Sequence, residues 1–196
     1  MRVLPLAISA SALLLSGCPA VFVVGGVGAA TAGVVDISSD HRSIGRHVDD
    51  SAIELRAGTM LAKEESLDDA RISVTSVNGI TLLTGEAPDD AARLRAVALV
   101  RDLAEVRRVL DKITVGPRLS SSRVAAEVAL AVKCKAKIIK DAGRAALNVN
   151  VVAHGGTVYL MGVISRAEGA AAAEAIRTLG GVARIIKVFE YVEEQT

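Results

Sequence analysis

Residues 72–86 read ISVTSVNGITLLTGE: apolar and polar residues alternate, Asn78-Gly79 interrupts, and the alternation resumes. Asn-Gly between two alternating runs marks a β-hairpin, because a type I′ turn needs positive φ at both central residues. The pattern returns at residues 149–163, VNVVAHGGTVYLMGV, where Gly155-Gly156 meets the same φ requirement with different chemistry. Ile72 falls on Val149, Val74 on Val151, Gly79 on Gly156, Leu83 on Leu160 and Gly85 on Gly162. One unit is therefore present twice, and that repeat decides the domain count.

Working outward, Asp49-Asp50-Ser51 offers helix N-caps ahead of the first hairpin, with Glu54 placed as in a capping box. Ile53, Ala57 and Leu61 then share one helix face. After the hairpin, Pro88-Asp89-Asp90 opens a second helix with Leu94, Val97, Val100 and Leu103 (or Ala104) as its buried stripe. Residues 106–115 supply a third strand, and Gly116-Pro117 closes the unit. The second repeat keeps this order. Ser120-Ser121-Ser122 caps a helix whose Val124, Val128 and Val132 match Ile53, Ala57 and Leu61, and Ser165 caps a helix ended by Gly180-Gly181. The last strand is residues 182–192. The fold class expected is α+β: two tandem units of helix–strand–strand–helix–strand, each with a three-stranded mixed sheet packed on two helices. The helical crossover lets the third strand pair parallel to a hairpin strand. The boundaries read as a leader at 1–17, a tether at 18–47, a first unit at 48–117 and a second at 118–196.

Composition narrows the function. Of the 196 residues 51% are hydrophobic but only 2% aromatic, with no Trp, so the cores are built from Val, Leu, Ile and Ala. That leaves no aromatic platform for nucleic-acid bases, and a net charge of +1 gives no general field to attract them. Two cysteines are too few for a disulfide scaffold.

Arg2, the apolar run at 3–15 and the ending Leu15-Ser16-Gly17-Cys18 have the three-part layout of a secretory leader. Leu-Ser-Gly-Cys resembles a bacterial lipobox, which implies cleavage before Cys18 and diacylation of its thiol. Several acyl chains on one residue anchor stably, each buried CH₂ contributing about 0.8 kcal/mol. Residues 19–35 are again apolar and uncharged, but Pro19, Gly25, Gly26, Gly28 and Gly33 weaken them as a helix. They read as a small-residue tether near the membrane surface rather than a span.

The doubled unit, with a glycine near the end of each second strand (Gly85, Gly162), resembles the BON domain. Two such units behind a lipobox are similar to the dual-BON outer-membrane lipoproteins of Gram-negative bacteria, the DolP type. Arg42-Ser43-Ile44-Gly45 and Val48-Asp49-Asp50 match the approach to that family's first domain. The resemblance implies a non-enzymatic envelope protein held in the inner leaflet of the outer membrane. It implies binding to anionic phospholipid (phosphatidylglycerol, cardiolipin) and a role in envelope integrity. Pro19 stands where an Asp would signal retention in the inner membrane. The family's lipid-contacting element maps to the helix starting near Ser122. The family's Trp at that helix start is replaced here by Arg123.

That helix carries Lys133, Lys137, Lys140 and Arg144 along one face, with Arg123 and Lys135 flanking and Ile138-Ile139 as apolar contact. A basic amphipathic helix lies in the headgroup region, each basic residue adding about 1 kcal/mol near an anionic surface. The corresponding stretch of the first unit, Ala62-Lys63-Glu64-Glu65, is mixed in sign and reads as shorter by about six residues. Cys134 reads as a small buried hydrophobe, with a reactive or bridging thiol as the alternative. His41, His47 and His154 are dispersed without metal spacing, and no nucleophile–base pair is legible. No cofactor or metal is expected. The alternative function is a periplasmic scaffold that docks an envelope protein through its sheet edges or paired helices.

Overall fold

Asn78 and Gly79 take φ of 53° and 73°, and Gly155 and Gly156 take 56° and 73°, so both expected turns are present. A computed structural model describes the backbone of residues 44–192 and the side chains of 49–143 and 147–192. The readings of the leader, Cys18, the tether as far as residue 43 and His41 lie outside those residues, as does the side chain of His47.

In chain order the elements are α1 (Ile44–Lys63), β1 (Arg71–Val77), β2 (Ile80–Ala87), α2 (Asp90–Arg101), β3 (Arg108–Val115), α3 (Ser121–Ala142), β4 (Asn150–His154), β5 (Thr157–Ile164), α4 (Arg166–Ile176) and β6 (Arg184–Tyr191). Each sheet has three strands with the second hairpin strand in the middle, β1-β2-β3 and β4-β5-β6. The hairpins pair antiparallel, and β3 and β6 run parallel to their neighbours. The fold is the α+β architecture expected. Local chemistry sets several helix starts: Asp89 and Ser120 accept from the third backbone N–H beyond them, and Ser165 forms a full capping box with Glu168.

Both repeats share one offset. Ile72 and Val149 are 77 positions apart, and the same offset carries Ile53, Ala57 and Leu61 onto Leu130, Cys134 and Ile138. Those residues build the helix side of the two cores: Ala57 and Leu61 with Leu83, Val97 and Val100, and Cys134 and Ile138 with Leu160, Ile164 and Ile176. The expected match through Val124, Val128 and Val132 is therefore displaced, and Val128 and Val132 are exposed. The first unit is not six residues shorter here, since β1 and β4 each start eight positions after the end of their helix. On α2, Leu94 is exposed, and Ala92 and Ala96 line the core with Val97 and Val100.

The start of α1 also differs from expectation. The helix begins before Asp49, so Asp50 and Glu54 lie inside it and do not cap it. Asp50 is 5% exposed and accepts hydrogen bonds from Asn78 N (2.7 Å), Gly79 N (2.9 Å) and Ser76 Oγ (2.8 Å), while Glu54 accepts from Ser76 N. The two carboxylates hold the hairpin turn against α1.

Every residue of β2 is buried, as is all of β5 after Thr157. Helices cover one face of each sheet, and the other sheet covers the second face. Val77, Ile80 and Leu82 form one apolar cluster with Tyr159, Met161, Val163 and Val188. Polar contacts close this joint at both ends. Arg107, just before β3, pairs with Glu190 of β6 at 2.9 Å, and Asn78 donates to the same carboxylate. At the far end, Thr114 of β3 lies 3.3 Å from His154 Nε2 on β4, while His154 Nδ1 stands 3.3 Å from Glu127 and 3.9 Å from Glu86. β3 thus runs from the β6 edge to the β4 edge of the partner sheet, so the strands of the two sheets cross.

Gly58 sits inside α1, where a β-carbon would meet nothing within 4 Å. Helical glycine costs roughly 0.5–1 kcal/mol relative to alanine, mostly through unfolded-state entropy. Gly58→Ala is expected to raise stability by about that amount in urea denaturation, with an unchanged m-value.

Candidate functional site

α3 is fixed on its sheet by three faces of contact. Leu130, Cys134 and Ile138 enter the core. Glu127, near its start, accepts from Gly155 N at 2.6 Å and so holds the second hairpin turn, as Asp50 holds the first. Lys135 reaches the opposite way, its Nζ donating to the Val149 carbonyl at 2.6 Å. Ser120 Oγ accepts from Arg123 N at 3.4 Å and caps the first turn.

Going round the helix at about 100° per residue, the side opposite the core separates into two stripes. Val128, Val132 and Ile139 form the first, 49%, 40% and 50% exposed. Lys133 and Lys140 form the second, also exposed, with Ala125, Ala129 and Ala136 between the stripes. Leu147, 55% exposed, follows in the 3₁₀ turn at Gly143–Asn148. An exposed apolar strip beside lysines is the layout of a helix lying in a membrane interface, the lysine stems covering apolar surface while the ammonium groups reach outward.

The six expected basic residues divide. Lys133 and Lys140 are exposed on the outward side. Lys137 is half-buried and pairs with Asp141 one turn on. Lys135 is half-buried and committed to the Val149 carbonyl. Arg123 is exposed, but it stands ten residues before Lys133 and on a different side of the helix. The side chain of Arg144 lies outside the described residues. Of the two isoleucines, Ile138 is wholly buried and only Ile139 faces outward. The sequence reading missed Val128 and Val132 as surface residues; the offset of the hairpins, applied to the helix, was the signal that places them there.

Cys134 is free, wholly buried, and burial pushes its thiol pKa up. A thiol in that setting is a packing group, and the reactive alternative is set aside. His154 lies in the joint between the sheets.

The BON domain model matches the chain twice, at residues 49–117 and 126–193. The chain is similar to outer membrane lipoprotein DolP of Haemophilus influenzae, at 29% identity over 182 residues covering 92% of each chain. It is also similar to the 21 kDa hemolysin of Actinobacillus pleuropneumoniae, at 34% identity over 155 residues, 79% of this chain and 80% of that one. Among solved structures, the C-terminal domain of CdsD, a type III secretion structural protein of Chlamydia trachomatis, covers 71% of this chain and 96% of its own at 12% identity. Its TM-score of 0.26 carries no argument.

Proposed function

The chain belongs to the BON-domain family, and from that premise we propose that it is a non-enzymatic outer-membrane lipoprotein binding anionic phospholipid through α3. Residues 1–17 are the leader and Cys18 carries the acyl chains. Residues 18–47 are the tether to two units, 48–117 and 118–196, that face the periplasm and support envelope integrity. The observation that carries the lipid reading is the outward side of α3, where Val128, Val132 and Ile139 run beside Lys133 and Lys140. Apolar side chains enter the boundary of headgroups and chains, and the ammonium groups meet phosphates. Strand addition to a protein partner is less favoured at β3 and β6, two of the four edge strands, which carry exposed Arg108, Lys112, Arg184 and Lys187.

Co-sedimentation of the acyl-free chain, residues 36–196, with vesicles tests this. Binding is expected to phosphatidylglycerol and cardiolipin, not to phosphatidylcholine, and to weaken with salt. Changing Lys133 and Lys140 together to Gln removes two contacts of about 1 kcal/mol each, a drop of roughly thirtyfold. Ile139→Ser weakens binding at every salt concentration. No binding under any condition leaves the acyl chains as the membrane contact and moves the search to a protein partner.

A further inference from the structure

The chain holds three asparagines, and two of them, Asn148 and Asn150, precede valine. Asn78 precedes glycine. The backbone nitrogen that follows an asparagine can attack the side-chain carbonyl, and a glycine, having no β-carbon, leaves that nitrogen unshielded. The bond formed between Gly79 N and Asn78 Cγ closes a succinimide ring. The Cγ–Nδ2 bond breaks, and the amide leaves as ammonia with the proton that Gly79 N gives up. Water then opens the ring at either carbonyl, to aspartate or isoaspartate. By local sequence, Asn78-Gly79 is the place in this chain most open to deamidation.

The fold ties down each participant. The nucleophile, Gly79 N, donates a hydrogen bond to Asp50 Oδ1 of α1 at 2.9 Å, and Asn78 N donates to Oδ2 at 2.7 Å. The leaving nitrogen, Asn78 Nδ2, donates to Glu190 of β6, while Arg107 holds both that carboxylate and the Asn78 carbonyl. α1 packs on one face of the first sheet and β6 on the other. Backbone nitrogen and side-chain amide are therefore drawn to opposite faces. The third participant is Asn78 Oδ1, which gathers negative charge as the ring closes. It is buried and has no hydrogen-bond partner among the described residues, so the closed joint offers nothing to stabilise that charge. The second unit turns through Gly155-Gly156 and has no amide there to lose.

We propose that Asn78 is a deamidation site kept unreacted by these ties, and that its reaction, once it occurs, loosens this end of the joint for good. The product places a carboxylate where Nδ2 donated to Glu190, so a hydrogen bond becomes a like-charge contact. Isoaspartate also adds a methylene to the backbone, which shifts the turn off Asp50. Because ammonia is lost, neither change reverses. The rate of conversion is the rate of the free turn multiplied by the fraction of time the turn stands open. Asn78 thereby records how often the two units part at this end.

The test incubates the full-length chain in phosphatidylcholine nanodiscs at mildly alkaline pH and follows all its asparagines by peptide mass spectrometry. The urea-unfolded chain is the reference, and there Asn78 is expected to convert faster than Asn148 and Asn150. In the folded protein conversion at Asn78 is expected to be about a hundredfold slower, as for a turn that opens rarely. Glu190→Ala frees the amide and raises the folded-state rate about tenfold. Glu190→Gln, whose side-chain oxygen still accepts from Asn78, leaves the rate low. Melting temperatures report whether both variants are folded. Asn78→Asp, the product itself, quickens amide exchange in the peptides that hold Leu82 and Met161, two residues of the cluster between the sheets. That arm decides even where Glu190→Ala does not fold. Folded and unfolded chains converting at one rate, a folded Glu190→Ala converting as slowly as the parent, or Asn78→Asp exchanging as the parent does overturns the proposal.

Discussion

Gly85→Ala is expected to destabilise the protein by roughly 3–5 kcal/mol, enough to leave much of it unfolded at physiological temperature. Two effects add. Gly85 has φ of 122°, a region that side chains rarely adopt, and a β-carbon there would lie 1.9 Å from the Arg71 carbonyl oxygen. That oxygen is backbone in the neighbouring strand β1, so it cannot turn aside as a flexible side chain would. Gly162 is the counterpart in the second unit, where a β-carbon would stand 2.3 Å from the Asn148 carbonyl oxygen and no left-handed φ is involved. Gly162→Ala therefore carries the steric cost alone, about 1–3 kcal/mol. Urea denaturation of both variants reads the difference. Because each sheet closes the open face of the other, a single cooperative transition is expected in each case. Gly85→Ala unfolding at the wild-type midpoint would mean that β1 gives way freely at Arg71.

The two hairpins were legible because their chemistry is local: alternation gives the strands, and Asn-Gly or Gly-Gly gives the turn. The caps at Asp89, Ser120 and Ser165 were legible for the same reason, each partner lying three residues away. Asp50 was misread because its partners, Ser76, Asn78 and Gly79, lie 26 to 29 residues on, and a capping pattern looks the same whichever donors it serves. The crossing of the two sheets left a partial trace. β5 reads Val158, Tyr159, Leu160, Met161 before Gly162, nearly continuous apolar sequence that suits burial on both faces. β2 hides the same burial behind polar residues on both of its faces, Thr81 on one and Thr84 and Glu86 on the other. They are buried all the same, with Thr81 on Ser76 and Glu86 accepting from Leu119 N. Along α3 the number of basic residues was readable. Their division between the surface, Asp141 and the Val149 carbonyl depends on neighbours that only the folded chain supplies.

Asp50→Ala is expected to cost about 3–5 kcal/mol, because it leaves buried donors of the first turn without their acceptor, at about 1–3 kcal/mol apiece. Asn78 N, Gly79 N and Ser76 Oγ all point at that carboxylate, and only part of the loss is offset by water at a site 5% exposed. Asp50→Asn rescues only in part, since its Oδ1 still accepts from Gly79 N and Ser76 Oγ while its NH₂ faces the Asn78 N–H. The consequence reaches past the turn: Asn78 also donates to Glu190, so loosening the turn loosens one end of the joint between the sheets. Glu127→Ala removes the equivalent grip in the second unit, but its side chain is 20% exposed and one backbone N–H, from Gly155, depends on it. About 1–2 kcal/mol is expected there. The comparison matters for function because Glu127 lies on the helix that carries Lys133 and Lys140. Amide exchange at Gly79 should quicken in Asp50→Ala, and at Gly155 in Glu127→Ala. If lipid binding depends on how α3 is held, Glu127→Ala weakens vesicle binding while most of the protein stays folded. If binding depends only on the outward residues of α3, the variant binds as the parent does.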